Sequence, residues 1–233
     1  YGFHGTSHRF VSERAASMLG KPIEQLKIIT AHLGNGCSMA AVDGGRSVDT
    51  TMGFTPLEGL IMGTRSGDLD SSVILYIMAK EGLSLSEANT LLNKHSGLIG
   101  ISGESSDMRE IEEAVGEGNK KAKYAFDVFT YRIKKYVGAY TATMGGLDAL
   151  VFTGGIGENS IAVRKDVCMN MEFLGIKFDE LANQNVKGEC SISSPDSKVK
   201  VLRIPTNEEL VIALDTELIV AEQLSLKQTA STK

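Results

Sequence analysis

The sequence has no tryptophan, only four prolines and only three cysteines among its 233 residues. Cys37, Cys168 and Cys190 are odd in number and include no CxxC pair. This argues against a disulfide framework or a cysteine zinc site and favours a reducing compartment. No apolar run approaches the roughly 20 residues that a membrane-spanning helix needs. We therefore expect a cytoplasmic protein without a membrane partner.

An excess of positive charge is also missing. The formal net charge of −5 at pH 7 gives the chain no general attraction to nucleic acid, so no nucleic-acid partner is expected. The hydrophobic fraction of 42% and the charged fraction of 23% are ordinary for a globular protein. Because the sequence has neither repeats nor low-complexity linkers, residues 1–233 are expected to form one domain.

Three short apolar segments separated by glycine turns follow one another early in the chain. Residues 28–32, 38–42 and 47–51 predict strands. The turns at 34–36 and 43–45 are Gly-Asn-Gly and Asp-Gly-Gly, and both are typical of hairpins. The pattern predicts a small antiparallel meander.

Helical spacing dominates much of the remaining sequence. Apolar residues at every third or fourth position predict a helix over 119–144 with one buried stripe. Ser7 is expected to cap the first helix. Ser84 and Glu87 predict a capping box at the start of a helix that ends at Gly97.

Two later segments, DALVFTGGIGENSIAVRKDV and KVKVLRIPTNEELVIALDTELIVAEQL, each predict a strand followed by a helix. Such units after a meander indicate an α/β domain with a mixed sheet. The glycines at 154, 155 and 157 allow backbone to approach a phosphate or a nucleotide ring at a helix N-terminus. Glu158 or Asn159 could then bond ligand hydroxyls. A tight strand–helix turn is the alternative interpretation.

A second glycine turn, His-Leu-Gly-Asn-Gly at 32–36, joins two predicted strands. Hairpin geometry alone explains an Asn-Gly pair. Two glycine turns that each follow a buried strand can, however, converge on one nucleotide from different sides.

Arg65 lies between glycines in an otherwise apolar loop, where a solvated surface charge is not expected. Its planar guanidinium can hold a carboxylate or phosphoryl group bidentately. An ion pair with Asp68 or Asp70 is the alternative. His4 and His8 lack a third metal ligand at useful spacing, so an imidazole that donates to a phosphoryl oxygen is favoured over a metal pair.

Two further helix starts combine a capping role with a candidate ligand. Asp107 begins a helix, where a carboxylate is a routine partner of the helix dipole. Thr206 and Glu209 fit a capping box. That pairing leaves Glu208, just after a strand, to hold Mg²⁺ next to phosphates.

Six motifs occur in order along the chain: YGFHGTSH, HLGNG, DTTMGFTPLEGLIMGTRSGD, SSDMR, VFTGGIGEN and IPTNEEL. Together they closely resemble the acetate kinase family. The resemblance implies the ribonuclease H-like α/β fold of the actin, Hsp70 and sugar-kinase superfold, with a mixed sheet flanked by helices. It also implies that residues 1–233 are the C-terminal nucleotide-binding domain, and that an N-terminal domain of similar size is absent.

The resemblance also implies roles for the residues that match the motifs. His4 would donate to the transferring phosphoryl group, His8 would support the same loop, and Arg65 would hold that group. Glu208 would be the ligand of Mg²⁺ or Mn²⁺. The nucleotide-binding positions would be His32, Leu33, Gly34, Asn35, Gly36, Asp107, Met108, Arg109, Gly155, Ile156, Gly157, Glu158 and Asn159.

The implied reaction is reversible in-line phosphoryl transfer from ATP to acetate, which gives ADP and acetyl phosphate. Because the family pattern places further metal and substrate residues on the absent domain, we expect this chain to bind nucleotide without turnover. We also expect a homodimer to which the helix over 119–144 contributes. Two alternatives stay open: a propionate or butyrate kinase, and a non-catalytic ATP-binding module of the actin-like superfold.

Overall fold

The computed structural model describes the backbone of residues 2–230 and the side chains of residues 2–223. Strands there form one sheet in the order β3-β2-β1-β4-β6-β5. The strands are β1 (Lys27–Leu33), β2 (Cys37–Asp43), β3 (Arg46–Thr50), β4 (Ala149–Thr153), β5 (Cys190–Ser191) and β6 (Lys200–Arg203). The helices are α1 (Gly5–Leu19), α2 (Ser71–Glu81), α3 (Leu85–Lys94), α4 (Gly97–Ser102), α5 (Met108–Gly116), α6 (Lys120–Met144), α7 (Gly154–Asn159), α8 (Ile161–Cys168), α9 (Glu180–Gln184) and α10 (Glu208–Ala230).

The sheet is mixed, as the sequence predicts. β1, β2 and β3 pair antiparallel and form the expected meander, while β1, β4 and β6 run parallel. His32 pairs with Thr153, and Phe152 pairs with Arg203. The carboxyl ends of the three parallel strands therefore meet at one edge, where ligands bind in open α/β sheets.

Helices cover both faces of the sheet. On one face α6 buries the stripe that contains Phe129, Ile133 and Val137, which confirms the long amphipathic helix. On the other face α1 packs Val11 and Ala15 into a second apolar cluster. Within residues 2–230, no helix is both long and apolar enough to cross a membrane.

The start of α1 differs from the prediction. The helix begins at Gly5, and His4 occupies the N-cap position without a side-chain cap. The Oγ atom of Ser7 lies instead 2.8 Å from Nδ1 of His32. Ser7 therefore lies inside the helix, and its hydroxyl makes a tertiary contact instead of capping the helix.

Two other helix ends are also corrected. α3 has the predicted capping box at Ser84 but ends before Gly97, whose left-handed φ of +63° starts α4 instead. At α10, Asn207 Oδ1 accepts a hydrogen bond from Leu210 N at 3.0 Å. Thr206 Oγ1 is buried without a hydrogen-bond partner in the described part of the chain, so Asn207 replaces it as the cap.

Candidate active site

Three histidines meet at the carboxyl end of β1. The rings of His4 and His32 stack with centroids 4.1 Å apart and 15° between their planes. His8 lies edge-on to both at 6.4 Å. His4 has a left-handed backbone with φ 55°, a conformation that is uncommon outside glycine and clusters at functional sites.

Hydroxyl groups contact all three imidazoles, with Ser7 beside His32. His8 Nδ1 lies 2.7 Å from Thr30 Oγ1, and His8 Nε2 lies 2.7 Å from Ser38 Oγ. The same Ser38 Oγ is 2.9 Å from Nδ1 of His4. Nε2 of His4 makes no hydrogen bond within residues 2–223 and remains available to a ligand.

All three imidazoles are neutral near pH 7. Burial lowers the pKa of His8 to about 3 and that of His32 to about 4, and neighbouring histidines add to the effect. Burial also lowers the pKa of His4, with Glu208 opposing the shift and Arg65 adding to it. A neutral imidazole donates through one nitrogen without bringing a charge.

Arg65 approaches the histidines across Gly36. A Cβ atom at position 36 would lie 3.4 Å from Arg65 Nη1 and 3.8 Å from His4 Cε1, so glycine keeps a gap that both side chains face. Within residues 2–223 the guanidinium contacts the carbonyl oxygen of Pro56 at 3.5 Å and Sδ of Met62 at 3.6 Å. Neither partner is a carboxylate, so the cation can bind an anionic ligand.

The alternative of an ion pair between Arg65 and Asp68 or Asp70 is wrong. Asp68 accepts a hydrogen bond from the Tyr136 hydroxyl at 2.6 Å and pairs with Arg132 at 3.4 Å. Asp70 is the N-cap of α2 and accepts from a backbone N–H there. Both carboxylates therefore contact groups other than Arg65, at positions that hold the glycine-rich loop in place.

A cavity of about 600 Å³ opens between the turn after β1, the start of α5 and α7. Its volume suits a small-molecule ligand. At the start of α5 the highly exposed Arg109 pairs with Asp107 at 2.5 Å, and the Arg109 guanidinium lowers the pKa of Asp107 to about 2. The predicted nucleotide residues that line the cavity are Gly34, Asn35, Asp107, Met108, Arg109, Gly155, Ile156 and Asn159.

Sequence reasoning missed Ser106, Glu112 and Ser160 in this lining. Ser160 Oγ donates to Glu112 and accepts from the backbone of Val163 as the N-cap of α8. The sequence contains a signal for two of these residues. Glu112 lies one helical turn after the SSDMR motif, and Ser160 directly follows GGIGEN.

Some predicted nucleotide residues lie behind the cavity. Leu33 is fully buried in the core, and Gly157 is also buried. Oε1 of Glu158 accepts from the backbone N–H of Gly154 at 3.0 Å and of Thr206 at 3.3 Å. Glu158 therefore links the turn after β4 to the turn after β6.

A fully buried arginine supports the same turn. Nη1 of Arg164 donates to the carbonyl oxygens of Gly157 at 3.0 Å and Glu158 at 2.9 Å. Its Nε donates to Oδ1 of Asn183 at 2.7 Å. The first of these hydrogen bonds satisfies a Gly157 carbonyl at the end of α7, and the second joins Arg203 Nε, which donates to the same Glu158 oxygen at 3.2 Å.

Arg65 lines a second cavity of about 640 Å³, and Asn35 lines both cavities. The Asn35 side chain lies against Gly63, where a Cβ atom would come within 2.0 Å of Oδ1. An anion held by Arg65 would therefore lie next to the first cavity.

Glu208, the first residue of α10, fits a metal ion that arrives with a phosphate ligand. Its half-buried carboxylate partly offsets the lowering of the His4 pKa. Glu208 therefore lies close enough to His4 to affect its charge. Among the residues described, no group of three or more His, Cys, Asp or Glu could hold a metal alone. Mg²⁺ characteristically takes one or two carboxylates and completes its shell with water and phosphate oxygens.

The mixed sheet, with glycine turns at its carboxyl edge, defines an α/β domain whose fold matches that of crystallised acetate and propionate kinases. The crystal structure of Porphyromonas gingivalis acetate kinase has a TM-score of 0.92 and 54% identity, covering 94% of this chain and 55% of that one. A propionate kinase from Francisella tularensis has a TM-score of 0.85 and 48% identity, covering 91% of this chain and 54% of that one.

The chain belongs to the acetokinase family, whose model matches residues 1–214. It is 60% identical over 220 residues to the acetate kinase of Symbiobacterium thermophilum, covering 94% of this chain and 55% of that relative. The chain thus spans about half the length of the curated relatives it matches. The family and the fold class expected from the six motifs are both confirmed.

Proposed function

We propose that this chain supplies the nucleotide-binding half of an acetate kinase, which transfers the γ-phosphoryl group of ATP to acetate and yields ADP and acetyl phosphate. The proposal rests most directly on the gap at Gly36. The cation of Arg65, which has no ion-pair partner within residues 2–223, and the neutral imidazole of His4 both face it, beside a cavity of about 600 Å³. Membership of the acetokinase family supports the same reaction.

Phosphoryl transfer needs positioning and charge stabilisation more than covalent chemistry from the protein. The planar fork of Arg65 suits two oxygens of a phosphoryl or acyl-phosphate group. Nε2 of His4 donates to a third oxygen without adding a charge beside Arg65. Mg²⁺ or Mn²⁺, held by Glu208 and nucleotide phosphates, would supply further charge neutralisation when bound.

The nucleotide would occupy the cavity of about 600 Å³. The turn at 32–36 would face its phosphates, where Asn35 connects the cavity to Arg65. The start of α5 and the exposed part of α7 would face its adenosine. Glycine at position 155, where a Cβ atom would meet nothing within 4 Å, leaves room for a ring against the backbone.

We further propose that residues 1–233 are the C-terminal domain of a two-domain enzyme. The greater length of the relatives supports this, since the chain covers 55% of the Symbiobacterium enzyme. An N-terminal domain would complete the acetate and metal sites. The chain alone is then expected to bind nucleotide without forming acetyl phosphate.

Calorimetric titration of this chain with Mg–ATP, together with an acetyl-phosphate assay, tests the proposal. Saturable binding that Arg65→Ala weakens is the expected result. Arg14→Ala is the matched control, because Arg14 pairs with Glu189 on the surface. Equal binding by wild type and Arg65→Ala would contradict the role of Arg65, and an absence of binding would contradict a preformed nucleotide site.

Two other functions make different predictions. A propionate or butyrate kinase, which the Francisella likeness supports, would bind a longer acyl phosphate more tightly than acetyl phosphate. A non-catalytic ATP-binding module would bind nucleotide but no acyl phosphate. The gap at Gly36, which Arg65 and His4 both face, favours an enzyme over a non-catalytic module.

We also propose a homodimer. On α6, Tyr124, Val128 and Tyr131 lie at helical spacing and are 61%, 38% and 64% exposed, which supports a contribution of this helix. Light scattering at high concentration tests it, and a strictly monomeric mass would count against it.

The three unpaired cysteines support a cytoplasmic location.

A further inference from the structure

A continuous chain of hydrogen bonds runs from β1 to His4. Thr30 Oγ1 lies 2.7 Å from His8 Nδ1, and His8 Nε2 lies 2.7 Å from Ser38 Oγ. Ser38 Oγ lies 2.9 Å from His4 Nδ1. Thr30 and Ser38 are fully buried, and His8 is 6% exposed, so bulk water does not compete for these contacts.

Two directions of donation can run through the whole chain, because a third arrangement, in which Ser38 accepts from both histidines, would leave its own buried hydroxyl hydrogen without a partner within residues 2–223. A hydroxyl and a neutral imidazole each carry one such hydrogen, so a member that donates to one neighbour accepts from the other. In the first direction Thr30 donates to His8, His8 donates to Ser38, and Ser38 donates to His4. Nε2 of His4 then carries the hydrogen. In the reverse direction Nδ1 of His4 carries it.

The buried hydroxyl of Thr30 selects between the two directions. Within residues 2–223 its Oγ1 has one hydrogen-bond partner, Nδ1 of His8. In the reverse direction His8 would donate to Thr30, and the hydroxyl hydrogen of Thr30 would be buried without an acceptor. Buried donors are rarely left unsatisfied. In the first direction the one hydrogen without a partner within residues 2–223 is on His4 Nε2, which faces the gap at Gly36.

We propose that Ser38, supported by His8, holds His4 in the tautomer that carries its hydrogen on Nε2. Ser38 is a positioning residue, because it acts on a ligand only through His4. The depressed pKa of His8 supports the neutral form that the chain requires. His4 also faces His32, Arg65 and Glu208, but its Nδ1 contact is with Ser38.

The functional importance of this tautomer rests on the proposed function. A phosphoryl oxygen is an acceptor, so Nε2 must present a hydrogen to it, whereas the other tautomer would present a lone pair. The tautomer itself can be measured without any nucleotide. A negative result there is therefore distinguishable from a failure of the chain to bind Mg–ATP.

Nitrogen-15 NMR of the histidine side chains, recorded on this chain at neutral pH without ligand, tests the proposal. We expect single Nε2–H tautomers for His4 and His8. Ser38→Ala should remove the single tautomer of His4 and populate both forms. Ser7→Ala is the matched control, because it removes the hydroxyl beside His32 Nδ1 and should leave the His4 signals unchanged. The exposed His95 serves as an internal reference signal in every sample.

A wild-type His4 with its hydrogen on Nδ1 would overturn the proposal. So would a Ser38→Ala spectrum in which His4 keeps its wild-type nitrogen shifts. If Ser38→Ala does not fold, the wild-type spectrum still decides the tautomer. Thr30→Val then gives an independent result, because it removes only the hydroxyl that sets the direction and should populate the second tautomer at His8 and His4.

Discussion

The rings of His4 and His32 stack face to face, 4.1 Å apart and within 15° of parallel. A proton on either ring would therefore place a positive charge directly against its neighbour. This is one reason why the pKa of His32 is depressed, after the larger effect of burial. Burial is also the largest cause of the lowered pKa of His4. The chain thus holds neutral imidazoles at a place where anions are expected to bind.

Mild acid should destabilise the folded chain. The pKa of His32 is about 4 and that of His8 about 3 when folded, against roughly 6.5 when unfolded. The unfolded chain therefore binds more protons in this interval. Stability is complete above about pH 6.5 and falls as the pH drops toward about 4, by up to about 1.4 kcal/mol per pH unit for each histidine. Urea unfolding at neutral pH and at about pH 5 measures this loss of stability.

One variant sharpens this pH experiment. His32→Gln should reduce the slope of stability against pH by the contribution of one proton. A free energy of unfolding that stays level between neutral pH and about pH 5 would show that these imidazoles are not held neutral by burial.

Gly36→Ala should weaken Mg–ATP binding by about tenfold, or about 1.4 kcal/mol, with little effect on folding. The methyl group would enter the gap 3.4 Å from Arg65 Nη1 and 3.8 Å from His4 Cε1. Calorimetry measures the affinity. Gly116→Ala is the control, since its Cβ atom would meet nothing within 4 Å. Unchanged affinity in Gly36→Ala would mean that no ligand group occupies the gap.

Gly154→Ala and Gly155→Ala should separate stability from binding. Gly154 has a φ of +77°, and a Cβ atom there would lie 2.8 Å from the carbonyl oxygen of Leu33, so we expect a loss of about 2 kcal/mol. Gly155 has open space and should lose less than about 0.5 kcal/mol. Gly155→Ala should nevertheless bind Mg–ATP more weakly, because it lines the cavity. Equal unfolding free energies for the two variants would contradict this assignment.

Arg164→Met should lower the free energy of unfolding by about 3 kcal/mol. Methionine fills similar space but removes the Arg164 donors to the carbonyl oxygen of Gly157 and to Oδ1 of Asn183, while Glu158 keeps its second donor, Arg203. Arg14→Met, which breaks only an exposed pair with Glu189, should change it by less than about 1 kcal/mol. Chemical denaturation compares the two, and similar effects would rule out a supporting role for Arg164.

The meander and α6 could be predicted because their signals are local. An Asp-Gly-Gly turn specifies a hairpin within a few residues, and the stripe through Phe129 and Ile133 repeats at helical spacing. The histidine cluster had no such signal. Thr30 and Ser38 lie 22 and 30 residues from His8 and share one face only through the pairing of β1 with β2, in which Ser38 is opposite His32.

Glu158 and Arg164 show the limit of motif reasoning. The position of Glu158 after three glycines suggested contact with ligand hydroxyls, but its carboxylate accepts from backbone N–H groups inside the protein. Arg164 carries no local sign of burial, since arginine in a short helix is normally exposed. Both roles depend on contacts between distant segments.

One oxygen atom of Glu158 accepts from Gly154 and from Thr206, so the two sides of the ligand site share a mechanical joint. Gly155 follows directly after the first of these residues, and Glu208 lies two positions after the second. A shift of either turn would strain or break a hydrogen bond to that one oxygen, so the two turns are expected to move as a unit.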